Sequence, residues 1–203
     1  MEKLKPHFDD LFYLIQDSFI SYQILFIIDD KKTQIELLNK DFFRFIGYQQ
    51  FFMLNIQLAK ILDCKKSQKR NIIKLCNDLI NDNYKQEILI YYKKLQPSIT
   101  YINKNYEQYI ENVREVLTKV RGINKVIKKL SDARNKVYAH TDFEVNINFL
   151  TLHELKQLLD FAAYAYNVIR GELYGIKTDF TKGLVDLTIL DVIQNIQRGL
   201  SLE

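Results

Sequence analysis

Ile123-Asn124-Lys125-Val126-Ile127-Lys128-Lys129-Leu130-Ser131-Asp132-Ala133-Arg134-Asn135-Lys136-Val137-Tyr138-Ala139-His140 decides the fold. Ile123, Ile127, Leu130, Arg134 and Val137 recur at three and four residues, the spacing of one helix face. Upstream, the same period runs from Ser98 through Ile102, Tyr106, Tyr109, Val113, Val116, Leu117 and Val120, with Gly122 a candidate break. Downstream, the polar stretch Thr141 to Asn148 ends it.

The period extends through the rest of the chain. Leu11, Leu14, Ile15, Ser18, Phe19, Tyr22, Leu25 and Phe26 predict a first helix, with a turn at Asp29-Asp30-Lys31-Lys32. A second runs from about Thr33 towards Leu62, tolerating Gly47. Asp63 to Gln68 reads as a polar loop. Ser67 is a candidate N-cap for a helix ending near Asn81. After a turn at Asp82-Asn83, a short helix reaches about Gln96, and Pro97-Ser98 suits a restart. Thr151-Leu152-His153-Glu154 has the form of a capping box, in which hydroxyl and carboxylate satisfy each other's backbone N–H groups. The helix it opens closes near Gly171–Gly175, and a last helix spans roughly Thr181 to Arg198. The expected fold is all-α, a single domain over residues 1–203 with antiparallel helices wherever the connections are short.

Composition narrows the function. The chain has 203 residues, enough for one sizeable core, and only 6 Gly and 2 Pro, too few for a loop-rich or all-β protein. No run of about 18 uncharged apolar residues exists, so no membrane span is expected. The N-terminus lacks the apolar core of a signal peptide. Cys64 and Cys76 stand apart from other ligand residues and read as free thiols in a reducing cytoplasm. His7, His140 and His153 are too scattered for a metal site, and no metal or other cofactor is expected. The net charge of +4 says little by itself.

The chemistry concentrates at Arg134, Asn135 and His140. A guanidinium is always charged and forks onto phosphate oxygens. An imidazole with an unperturbed pKa near 6.5 exchanges a proton at neutral pH. An amide can hold the phosphate or fix the imidazole tautomer. Together they suit attack of a ribose 2′-OH on the adjacent phosphorus, which needs no metal. Six residues at 100° each place His140 about 120° round the helix from Arg134 and about 9 Å along it. Joint action on one phosphate therefore requires a re-aimed helix end, or two chains pooling residues across a two-fold axis. Arg114, Lys119, Arg121, Lys125, Lys128, Lys129, Arg134 and Lys136 share one segment and can follow a phosphodiester backbone. Equally, they can form a solvated outer face. Tyr101, Tyr106, Tyr109 and Tyr138 can stack bases, although tyrosines at helical spacing are more often core.

With seven arginines and three histidines in the chain, some Arg-x(4–6)-His pair is a common accident. The context adds to it: Leu130-Ser131-Asp132-Ala133-Arg134-Asn135-Lys136-Val137-Tyr138-Ala139-His140-Thr141-Asp142, the helix ending Leu58-Ala59-Lys60-Ile61-Leu62-Asp63, and the threonine-capped helix after the motif. In these the chain resembles the HEPN superfamily, and within it the AbiU-type abortive-infection proteins. The resemblance implies a helical bundle that dimerises through its motif helices. It also implies metal-independent RNA cleavage in phage defence or a toxin–antitoxin pair, with an antitoxin protein as a possible partner. Carried onto this chain, Arg134 contacts the scissile phosphate, Asn135 supports it, and His140 is the acid/base. Lys125, Lys128, Lys129, Lys136 and Tyr138 are then the expected RNA contacts. Some HEPN toxins carry a tyrosine two residues after the histidine, modified by a nucleotidyltransferase partner. Asp142 stands there in this chain, so that control is not expected. The alternatives are a non-catalytic HEPN module binding nucleotide, RNA or protein, and a helical interaction protein whose histidine caps a helix.

Overall fold

The computed structural model describes residues 2–31, 40–63, 71–95, 105–139, 149–181 and 189–200, with only the backbone at 31, 95, 136–139, 189, 190, 192, 197 and 200. Among these the regular structure is helical: α1 (Lys5–Lys31), α2 (Asp41–Leu62), α3 (Ile72–Ile80), α4 (Lys85–Leu95), α5 (Tyr106–Ala139), α6 (Leu152–Tyr166), α7 (Glu172–Tyr174) and α8 (Ile189–Leu200). A π-helical turn, Asn167–Gly171, joins α6 to α7. The expected all-α bundle is what forms. α1 packs along α2, and both meet α6; α5 lies against α2, α3 and α6.

Each buried face follows the period read above. Leu4, just before α1, and Phe8, Leu11, Ile15, Phe19 and Leu25 on it are buried. By length and hydropathy alone α1 could cross a membrane, since an 18-residue window averages a mean hydropathy of 1.5. Its apolar face instead forms part of the helical core, and Ser18 joins it by donating its hydroxyl to Leu14 O at 2.6 Å. Leu54, Leu58, Ile61 and Leu62 of α2 meet Leu130 of α5 and Leu155, Leu158 and Leu159 of α6 in the same core. Each fully buried Leu or Ile contributes about 1.5–3 kcal/mol.

Several boundaries differ from expectation. α1 runs on through Asp29 and Asp30 to Lys31, because two exposed aspartates interrupt the apolar pattern without removing a backbone hydrogen bond. The N-cap of α3 is Asn71 rather than Ser67, which lies outside the described residues together with Cys64 and Pro97-Ser98. The Asn71 Oδ1 accepts from the N–H groups of Ile73 (2.8 Å) and Lys74 (3.2 Å). Its Nδ2 donates to Asp63 O at 2.8 Å, tying the end of α2 to the start of α3. α5 begins at Tyr106, with Asn105 Oδ1 accepting from Glu107 N–H at 2.9 Å. It passes Gly122 unbroken, since that position faces open space and a helix tolerates one exposed glycine at about 1 kcal/mol. Thr181 does not open the last helix. It sits in a turn held by the Asp179 carboxylate.

The capping box at Thr151 is present: Glu154 N–H donates to Thr151 Oγ1 at 3.2 Å, and Thr151 N–H to Glu154 Oε2 at 2.7 Å. Thr151→Ala is expected to cost about 1 kcal/mol in urea denaturation. Helix α7 ends at Gly175 in the left-handed conformation, with Ile176 N–H closing back on Gly171 O at 3.1 Å. The wide turn before it offers Ile169 O to the Tyr109 hydroxyl at 2.9 Å. Burial raises the Tyr109 pKa well above its ordinary value, so it remains a donor.

Candidate functional site

The last turns of α5 carry the motif. Ser131 and Arg134, three residues apart, lie on adjacent turns of one face. Both reach Asp63 at the C-terminal end of α2: Arg134 Nη2 lies 2.8 Å from Asp63 Oδ2, and Ser131 Oγ donates to the same oxygen at 3.1 Å. The two paired side chains keep only 16% and 10% of their surface exposed. Asn135, half-buried, accepts from Arg134 Nη2 at 3.4 Å. A cation beside the C-terminus of α2 also complements that helix's dipole. Arg134 is therefore held in place by residues from two helices.

Asp63 was legible only as the start of a polar loop. The signal available in the sequence was its place at the end of an apolar run, Ile61-Leu62, where a carboxylate needs a partner to be buried. That partner is 71 residues away and could not be read from spacing.

The other expected RNA contacts divide. Lys125 and Lys128 are exposed, and with Arg121 they form a stripe along α5 with no ion pair among the described residues. At 100° per residue the stripe lies roughly 120–180° round the helix from Arg134, so it faces away from the α2 side. Arg114 pairs with Glu111 (3.0 Å), and Lys119 with Glu115 (3.0 Å) and the Tyr164 hydroxyl (2.8 Å). Lys129 is committed to the capping box: its Nζ lies 3.0 Å and 2.7 Å from the two Glu154 carboxylate oxygens. The structure thus gives Lys129 a tie between α5 and α6 where the sequence suggested an RNA contact. Tyr106 and Tyr109 are buried, Tyr106 donating to Asp82 Oδ1 at 2.7 Å, so they belong to the core and not to a stacking surface. His140 and Tyr101 lie outside the described residues, as do the side chains of Lys136 and Tyr138.

The tie has a pH signature. Lys129, first, and the Thr151 backbone N–H hold the Glu154 carboxyl below its ordinary value of 4.5. A lowered folded pKa contributes stability that is fully present above 4.5 and is lost as pH falls through the folded value. Between pH 7 and pH 3 the urea midpoint is expected to fall further for the wild type than for Glu154→Gln.

Cys76 is buried, and burial pushes its thiol up to about 12, an inert core residue. A small cleft of about 30 Å³ adjoins Arg134 between α2 and α5. A larger one, about 1160 Å³, lies beside Asn112, Tyr164 and Glu172. Asn112 is 22 residues and so roughly 33 Å along α5 from Arg134, which makes the small cleft the one next to the motif.

An all-α bundle that anchors an Arg-Asn pair at the C-terminal end of a long helix is of the HEPN type. The family model HEPN_AbiU2, described as AbiU2, matches residues 1–187. The chain belongs to that family and is an abortive-infection HEPN protein. No curated protein and no solved structure matches it.

Proposed function

We propose that this protein is a metal-independent RNA endonuclease acting in phage defence. Arg134 carries the reading: a half-buried arginine set beside a cleft in the last turns of the motif helix. Its guanidinium is a planar fork of N–H donors whose geometry matches phosphate oxygens. In this reading the fork holds the scissile phosphate and stabilises the charge that builds on it. His140 takes the proton of the ribose 2′-OH, whose oxygen attacks phosphorus. The P–O5′ bond breaks, leaving a 2′,3′-cyclic phosphate and a 5′-OH that receives a proton. Asn135 supports the phosphate or the imidazole. The angular separation of Arg134 and His140 favours a homodimer whose two motif helices share one cleft. Lys125 and Lys128 supply long-range attraction for the RNA rather than contacts at the phosphate. The same reading puts the protein in the cytoplasm, away from membranes, with an antitoxin as its natural restraint.

The test is purified protein incubated with cellular RNA in EDTA, beside Arg134→Ala and His140→Ala. Cleavage by the wild type and a loss of about 100-fold or more in His140→Ala is expected. Equal cutting by all three proteins removes the assignment.

The Arg134–Asp63 and Lys129–Glu154 pairs favour a second reading, a non-catalytic HEPN module, since both cations already serve the fold. A dimer that binds RNA and leaves it intact under every condition selects that reading. A monomer at micromolar concentration by sedimentation removes the shared cleft.

A further inference from the structure

The cleft beside Arg134 has a wall that phosphate chemistry does not use. The rings of Tyr48, Phe51 and Phe52 from α2 border it, together with Phe149. Phe51 and Phe149 meet edge to face with centroids 5.8 Å apart, and Tyr48 and Phe149 remain 58% and 47% exposed. Asn55 completes the wall and is only 4% exposed. Its Nδ2 donates to Phe51 O at 2.7 Å, one turn back along α2, which settles which amide atom is which. Its Oδ1 is buried and, among the described residues, has no hydrogen-bond partner. Orphaned buried acceptors are rare in folded proteins and point to a missing water or ligand group. Gln57 Oε1 shares that condition but is not part of the cleft wall.

We propose that this cleft is a nucleobase subsite that reads the base next to the phosphate on Arg134. The proposal rests on RNA as the ligand in the reading above. A space of about 30 Å³ admits an amino group or a ring edge, not a whole base. The base therefore stacks on the exposed faces of Tyr48 and Phe149 and inserts only its edge. Asn55 Oδ1, an acceptor sealed just behind the wall, takes a hydrogen bond from an exocyclic amine once the inserted edge displaces the neighbouring exposed rings. Adenine and cytosine project such an amine. Uracil flanks its N3–H with two carbonyl oxygens, which set acceptor against acceptor. The subsite thus favours amino-bearing bases over uracil. Alanine at 133, also in the wall, leaves room for the edge.

The test separates this from nuclease activity by using RNA that cannot be cut. Dye-labelled 2′-O-methyl hexamers of A, C and U are titrated with the full chain, and binding is read by anisotropy. The wild type is expected to bind the A or C hexamer about 3- to 10-fold tighter than U, the worth of one hydrogen bond. Asn55→Leu, which removes the orphan while keeping the volume, is expected to collapse the three affinities to within about twofold. Tyr48→Ala, an exposed position that the fold does not need, is expected to weaken all three by about 5-fold or more. Equal wild-type affinities, no binding at all, or a preference that survives Asn55→Leu overturns the proposal and leaves Asn55 as the seat of a buried water. Base-selective binding with cleavable RNA left intact keeps the subsite and removes the nuclease. Cleavage without any base preference does the reverse.

Discussion

Arg134→Ala is expected to lower the stability of the fold by about 3–5 kcal/mol, the cost of leaving a buried charge without its partner. The group that loses its cation is Asp63, whose carboxylate keeps one-tenth of its surface exposed, accepts from Ser131 and sits between the end of α2 and the cap of α3. Urea denaturation measures the loss. Arg134→Met/Asp63→Leu, which removes both charges and keeps apolar volume, is expected to recover most of it. If Arg134→Ala unfolds at the wild-type urea concentration, the pair is not holding the helices together. This matters for any activity assay, because an inactive Arg134→Ala protein has lost either a phosphate ligand or its fold. Arg134→Lys separates the two. It keeps a charge near Asp63 and gives up the planar fork, so cleavage is expected to fall far more than stability.

Leu58→Ala is expected to cost about 2–5 kcal/mol, as a fully buried leucine leaves a cavity that its neighbours fill only in part. Total stabilities of single domains are about 5–15 kcal/mol, so the melting temperature should fall by several degrees at least. Leu58 lies on α2 between Asn55 and Asp63, and its loss loosens the helix that carries both. Asn55→Leu in the same stretch is expected to leave stability unchanged or to raise it, because it removes an orphaned acceptor. A Leu58→Ala protein as stable as the wild type would mean that α2 is not packed as described.

The helices were legible because one apolar face at a 3.6-residue period is the condition for burying them. The capping box at Thr151 was legible because its residues are adjacent in sequence. What escaped the sequence had a partner elsewhere. Asp63 reads as a loop residue until Arg134 meets it, and Lys129 reads as one more basic residue until Glu154 takes it. Asn55 was invisible for another reason. One amide within Phe51-Phe52-Met53-Leu54-Asn55-Ile56 does not disturb the period, and only burial shows that its oxygen has nothing to bond. Asp29-Asp30 and Gly122 misled in the opposite sense, since both sit on the solvent side, where a polar pair or a missing side chain leaves the backbone ladder intact. Arg134 and Asn135 were named as candidates from the letters. The aromatic wall beside Arg134 depends on α2 crossing beside α5.

The Lys129–Glu154 contact joins two points 25 residues apart in the chain. Between them run Arg134, Asn135 and His140. A contact of that span turns an open segment into a ring, and a ring explores a smaller volume than a chain with a loose end. The two ends of the segment that carries the motif are therefore tied by an ion pair that includes none of its three residues. Charge-removing changes at Lys129 would loosen that closure without altering Arg134, Asn135 or His140.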